Sequence, residues 1–202
     1  MNKTLVIYSY FEKNDEYIKN FKFFLDNALY DDIDYIFCIN GHQCSIDIPK
    51  KSNINILKRD NNNFDFGAYT DALNTININS YEYFFFINTS VRGPFIPFND
   101  RATVRWTEPF IKLLTNDVKL VGTSINILNV TDPEIQKSMS LELLLEKGYT
   151  PPFIHVQSQV FLLNKDSLQF LISKQFFNQT NESDFNKFIA SVSYTHLRAH
   201  ET

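Results

Sequence analysis

The chain has 202 residues, enough for one α/β domain with a sizeable core but not for two. Its hydrophobic share of 44% and charged share of 21% are ordinary for a globular protein. A net charge of -4 and a pI near 5.5 give no bulk attraction for a polyanion, which argues against a nucleic-acid partner.

Residues Thr4–Tyr10 form a β-branched and aromatic run that predicts a buried strand. Over Asp15–Leu29 the apolar residues Tyr17, Ile18, Phe21, Phe24, Leu25 and Leu29 recur at helical spacing, with Asn14 or Asp15 available as the cap. Strands are predicted over Ile33–Ile39, closed by Asn40-Gly41, and over Ile54–Lys58. A helix over Phe66–Ile76 is entered through an Asn-rich loop. Tyr81–Asn88 is apolar without alternation, as a central strand covered on both faces should be. A Gly93-Pro94 loop follows, then a helix over Thr107–Thr115, a strand over Lys119–Ser124 and a helix over Asp132–Lys147. Val156–Asn164 is a late strand and Lys165–Lys174 a last helix. This alternation predicts an α/β fold, a mostly parallel sheet with helices on both faces. Ligands of such sheets bind at the carboxyl ends of the strands.

The residues from Val192 to Thr202, VSYTHLRAHET, reproduce the translation of a common transposase sequencing adapter in one frame. His196 and His200 in that string are therefore not read as a helical metal pair. The expectation is a domain over residues 1–191, C-terminally truncated, followed by an artefactual tail over 192–202. Cys38 and Cys44 fit neither a C-x-x-C redox pair nor a zinc knuckle, so both are expected to be reduced structural thiols. The amino terminus lacks the pattern of a signal peptide and no apolar run is long enough to span a bilayer. A cytoplasmic protein is the simplest expectation, with peripheral membrane contact left open.

Three clusters could carry chemistry. In the first, Arg59 to Tyr69, Asp65 can accept from a hydroxyl or a base N–H, and Gly67 lets a ligand approach the backbone at a helix start. Capping explains the same residues without a ligand. The second cluster, Phe86 to Phe95, ends the central strand abruptly in polar residues, and Arg92 has the donors to neutralise a diphosphate. In the third, His155, Gln157 and Gln159 alternate along the predicted late strand and so would share one face, as acceptor-binding groups for a sugar. His155 could also serve as a base. The phosphate loop, the dinucleotide-binding glycine fingerprint and the nucleophile elbow are all missing.

The ordered set NFDFGAY, FFFINTSVRGPF, KLVGTSIN and HVQSQVFLLNKDSL resembles the GT-A-like glycosyltransferases related to rhamnan synthesis protein F. The resemblance covers nearly all of residues 1–191. It implies a GT-A, Rossmann-like fold that moves a sugar from a nucleotide-diphosphate donor to a glycan acceptor in polysaccharide synthesis. Tyr8 and Ser9 would lie near the base, and Asp65 near the base or ribose. Asn88, Thr89 and Ser90 fall where many such enzymes carry a D-x-D that binds Mn²⁺ or Mg²⁺. Asn88 and Ser90 are neutral and would be weak ligands, so Arg92 and backbone N–H groups could stabilise the leaving diphosphate instead. Glu182 and Asp184 fall in the zone where a catalytic base is usual. The alternatives are a noncatalytic sugar- or nucleotide-binding module of the same fold and a flavodoxin-like binding domain. The latter needs a phosphate loop just after the first strand, and SYFEKND makes a poor one.

Overall fold

The computed structural model describes residues 3–100, 103–129, 131, 145, 150–174 and 176–177. Its elements are β1 (Thr4–Phe11), α1 (Asp15–Asn27), β2 (Asp34–Asn40), β3 (Ile54–Arg59), α2 (Phe64–Leu73), β4 (Tyr83–Asn88), α3 (Glu108–Leu113), β5 (Leu120–Gly122), β6 (Ile125–Leu128), β7 (Phe153–Val156), β8 (Val160–Asn164) and α4 (Lys165–Ser173). Short 3₁₀ turns at Ile78–Ser80 and Phe98–Asp100 join some of them.

Six strands form one sheet in the order β3-β2-β1-β4-β8-β5. The pairings among β3, β2, β1 and β4 are parallel, and β8 runs antiparallel to both β4 and β5. Five strands therefore share a direction, and the predicted α/β architecture with a mostly parallel sheet is the one observed.

The sequence dictates two apolar layers. Strands buried on both faces need unbroken apolar runs, and Leu5–Tyr8 of β1, Tyr35–Ile39 of β2 and Phe84–Ile87 of β4 supply them. Alternation then sorts the side chains. Leu5, Ile7, Ile36, Phe84, Phe86, Phe161 and Leu163 pack beneath α2 and α4. Val6, Tyr8, Tyr35, Phe37, Phe85 and Leu162 pack beneath α1 and α3 with Phe21, Phe24 and Trp106. Helix α1 starts where Asn14 Oδ1 accepts from the Tyr17 N–H at 3.0 Å. Helix α4 starts where Asn164 Oδ1 accepts from the Ser167 N–H at 2.9 Å. Both cysteines are free thiols, and burial pushes that of Cys38 to about 12, which makes it unreactive.

Two predicted strands differ from the observed ones. The run Lys119–Ser124 is cut short: β5 ends at Gly122, and beyond the run a further strand, β6, pairs with β7 in a separate two-stranded ribbon. A Cβ on Gly122 would lie 2.2 Å from Val156 Cγ1, so the ribbon crosses the large sheet where only glycine fits. The late strand also changes sheets, with β7 ending at Val156 and β8 beginning at Val160. The predicted helix over Asp132–Lys147 and the tail over 192–202 lie outside the described residues.

Candidate functional site

The carboxyl ends of β2, β1 and β4 lie side by side. Alternation carries the α2 face of each strand to a polar residue: Leu5, Ile7, then Ser9; Ile36, Cys38, then Asn40; Phe84, Phe86, then Asn88. Ser9 and Asn88 are register partners across the β1–β4 pair, and Asn40 is paired with Arg59 across β2–β3. All three polar residues are buried, so each must be hydrogen-bonded.

Asp65, in the first turn of α2, supplies the common acceptor. Ser9 Oγ donates to Asp65 Oδ1 at 2.9 Å, and Asn88 Nδ2 donates to Asp65 Oδ2 at 2.9 Å. Asn40 Nδ2 donates to Ser9 Oγ at 2.8 Å, and Arg59 Nη1 donates to Asn40 Oδ1 at 2.6 Å. On the other flank, Ser90 donates to Asn88 Oδ1 through both its N–H, at 3.0 Å, and its hydroxyl. Thr89 ties the same turn to β1 by donating from Oγ1 to the Ser9 carbonyl at 2.9 Å, and its own carbonyl accepts from Asn20 of α1 at 3.0 Å. The result is one polar seam, running from Arg59 to Ser90 across four strands and the start of a helix.

Four of the residues predicted from sequence, Ser9, Asp65, Asn88 and Ser90, are thus brought together. Others are not. Tyr8 does not end its strand, which runs on to Phe11, and its ring points to the opposite face among Phe21, Phe24 and Phe37. Its hydroxyl is buried with no hydrogen-bond partner among the described residues, and burial, then Tyr10 and Asp65, holds its phenol well above the usual range. Gly67 does not clear space for a ligand: a Cβ there would meet the Asn62 carbonyl at 2.3 Å and Arg59 Nη2 at 2.8 Å, so the protein itself fills that space. Arg92 is exposed and lies over the Phe23 ring of α1, 4.2 Å from its centroid.

Gln157 and Gln159 do not share a strand face with His155. They sit in the turn between β7 and β8, because the chain changes sheets there. The Gln157 N–H donates to the Ser124 carbonyl at 3.1 Å, its Oε1 accepts from Ser124 Oγ at 2.7 Å, and the Gln159 carbonyl accepts from the Asn88 N–H at 3.0 Å. His155 lies in β7, its side chain outside the described residues, as are Glu182 and Asp184.

The seam is a poor fit to Mn²⁺ or Mg²⁺. Such hard cations gather several oxygen ligands, preferably anionic. Here Asn88 Oδ1 already faces two donors from Ser90, and its amide nitrogen faces Asp65. Among the described residues no three His, Cys, Asp or Glu side chains gather into a metal-binding group.

Sequence reasoning gave Asn40 no role beyond closing its strand, and named Arg59 and Thr89 only as members of their clusters. The signal for Asn40 was present, since it is the polar stop of an apolar strand, like Asn88. Two exposed rings also stand at this end: Phe11, two residues beyond Ser9 on the same face and 38% exposed, and Phe64, next to Asp65 and 44% exposed. Asn63 and Phe64 carry positive φ of 56° and 48°, an uncommon conformation for non-glycine residues that delivers Asp65 into the seam.

No protein-family model matches the chain, and no curated protein matches it either. Among the described residues no helix is long and apolar enough to cross a membrane.

Proposed function

We propose that this chain is the donor-binding part of a glycosyltransferase that takes a nucleotide-diphosphate sugar and a glycan acceptor. The observation that carries the reading is the convergence of Ser9 and Asn88 on Asp65 at the carboxyl ends of adjacent strands. Ligands of open α/β sheets bind at such ends. The family resemblance of the sequence supports the same reading. The Asp65 carboxylate is an acceptor of the kind that a ribose hydroxyl or a base N–H requires. The exposed Phe11 and Phe64 rings suit a planar base. Arg92, on the loop after β4, is the cation for the diphosphate, and its stacking on Phe23 pre-orders the guanidinium.

A second reading has its own observation. Every oxygen and nitrogen of the Asp65 and Asn88 side chains already has an internal partner, as in a static structural pin. That favours a noncatalytic sugar- or nucleotide-binding module of the same fold.

A thermal-shift screen of the chain against UDP, GDP, dTDP and CDP, with and without Mn²⁺, tests the proposal. Stabilisation by one nucleotide is the expected outcome, and Arg92→Ala is expected to weaken that binding by about 1.5–3 kcal/mol, the scale of a charged hydrogen bond. No shift with any of the four would overturn the donor-site reading. Turnover of a donor sugar would separate the enzyme from the binding module.

A further inference from the structure

Arg59 ends an edge strand, yet its side chain is only 9% exposed. Its guanidinium donates in three directions: Nε to Asp71 Oδ2 at 2.6 Å, Nη2 to the Asn62 carbonyl at 2.7 Å, and Nη1 to Asn40 Oδ1 at 2.6 Å. The missing Cβ of Gly67 leaves room for that guanidinium, since a methyl group there would lie 2.8 Å from Nη2.

A guanidinium can only donate. The bond to Asn40 therefore fixes the amide, with Oδ1 toward Arg59 and Nδ2 toward Ser9 Oγ, 2.8 Å away. The Ser9 hydroxyl has one hydrogen. Having accepted from Asn40, it directs that hydrogen to Asp65 Oδ1 at 2.9 Å. Each link has one sense, and that sense is set at Arg59.

We infer that Arg59 is a positioning residue that orients the Asp65 carboxylate through Asn40 and Ser9, from two strands away. The same fork grips α2 at Asp71 and the loop before it at Asn62, so the helix that carries Asp65 and the relay that reaches it share one anchor. The relay belongs to the chain itself; only its consequence for a nucleotide rests on the proposed donor site.

The experiment follows the side-chain amide resonances of Asn40 and Asn88 in the ¹⁵N-labelled full chain. In Arg59→Met both are expected to shift, because Asn88 Nδ2 donates to the same carboxylate. In a Ser9→Ala background, which cuts the relay, Arg59→Met is expected to shift Asn40 and leave Asn88 in place. Movement of Asn88 in that background would mean that Arg59 acts through the packing of α2 alone, which overturns the relay. Should Arg59→Met fail to fold, Asn40→Ala replaces it, with the Asn88 resonance read in both backgrounds. Binding provides the second arm. Arg59→Met is expected to weaken UDP, GDP, dTDP or CDP, whichever the wild type binds, by about tenfold, as loss of one oriented hydrogen bond does, with inorganic pyrophosphate unaffected. Equal weakening of both ligands overturns the positioning role. A wild type that binds none of the four refutes the donor-site proposal, while the resonances still decide the relay.

Discussion

Along β1 successive side chains part to opposite faces of the sheet, and the two faces finish differently. Tyr8 and Tyr10 enter the aromatic layer beneath α1, where Tyr10 stacks on Phe21 at 4.4 Å and Phe37 packs against Tyr8, Phe21, Phe24 and Tyr35. Ser9 stands on the other face with Asn40 and Asn88, bonded to Asp65. Ring packing is tolerant of direction, so the first face is closed and carries stability. Hydrogen bonds have a donor and an acceptor and a narrow geometry, so the second face carries orientation. One strand end thus serves both as core and as candidate site.

The contrast can be broken from either side. The largest effect is expected from Phe37→Ala, which empties a fully buried ring position and should cost about 3–5 kcal/mol in urea denaturation without changing the Asp65 bonds. A loss below that range would mean the aromatic layer collapses to refill the space. Gly67→Ala comes next. Its Cβ would meet backbone at Asn62, so about 1–3 kcal/mol of destabilisation is expected from overpacking. An unchanged denaturation midpoint would show that the loop before α2 moves aside freely. Asp65→Ala strands two donors, Ser9 Oγ and Asn88 Nδ2, at a cost of about 1–3 kcal/mol. Because Asp65 is also the proposed ligand contact, nucleotide affinity should fall further than stability does. Stability and affinity falling in step would assign Asp65 to the fold alone.

The smallest effect is a matter of pH. Burial raises the carboxyl of Glu12, but donation from the Ser45 N–H, Tyr10 and Gln43 outweighs it and holds the group below its ordinary 4.5. A carboxyl lowered on folding stabilises above its unfolded pKa, and that contribution disappears as pH falls through the folded value. Wild type and Glu12→Gln should therefore differ at pH 7 and converge at pH well below 4.5. A difference that persists in acid would mean Glu12 acts by packing rather than charge.

Much of the seam was legible in advance because strand ends announce themselves. A long apolar run stopped by Asn or Ser marks both the end of a strand and a buried polar group in need of a partner, which is how Asn88 was found. Asn40 carries the same mark. What the pattern cannot supply is the partner. That Asp65 rather than Asp60 or Asp71 meets Ser9 depends on where α2 starts, and that start is set by the positive φ of Asn63 and Phe64. The misplacement of Tyr8 has a similar origin: a strand buried on both faces shows no alternation of polarity, so the face of a tyrosine is not readable from it. Gln157 and Gln159 were misread because β7 and β8 belong to different sheets, and periodicity along a chain is silent about a change of sheet.

By itself, then, the sequence determined the α/β class, the central strands and the polar stops at their ends, since burial on two faces demands unbroken apolar runs and a buried polar side chain is placed only where it can be bonded. The tertiary structure alone decided the order of the strands, the antiparallel insertion of β8, the ribbon of β6 and β7, and the pairing of Arg59 with Asn40 and of Ser9 with Asp65. Those pairings join residues 19 and 56 positions apart. Hydrogen bonds over such separations are fixed by which strands become neighbours, and only the packed sheet determines that.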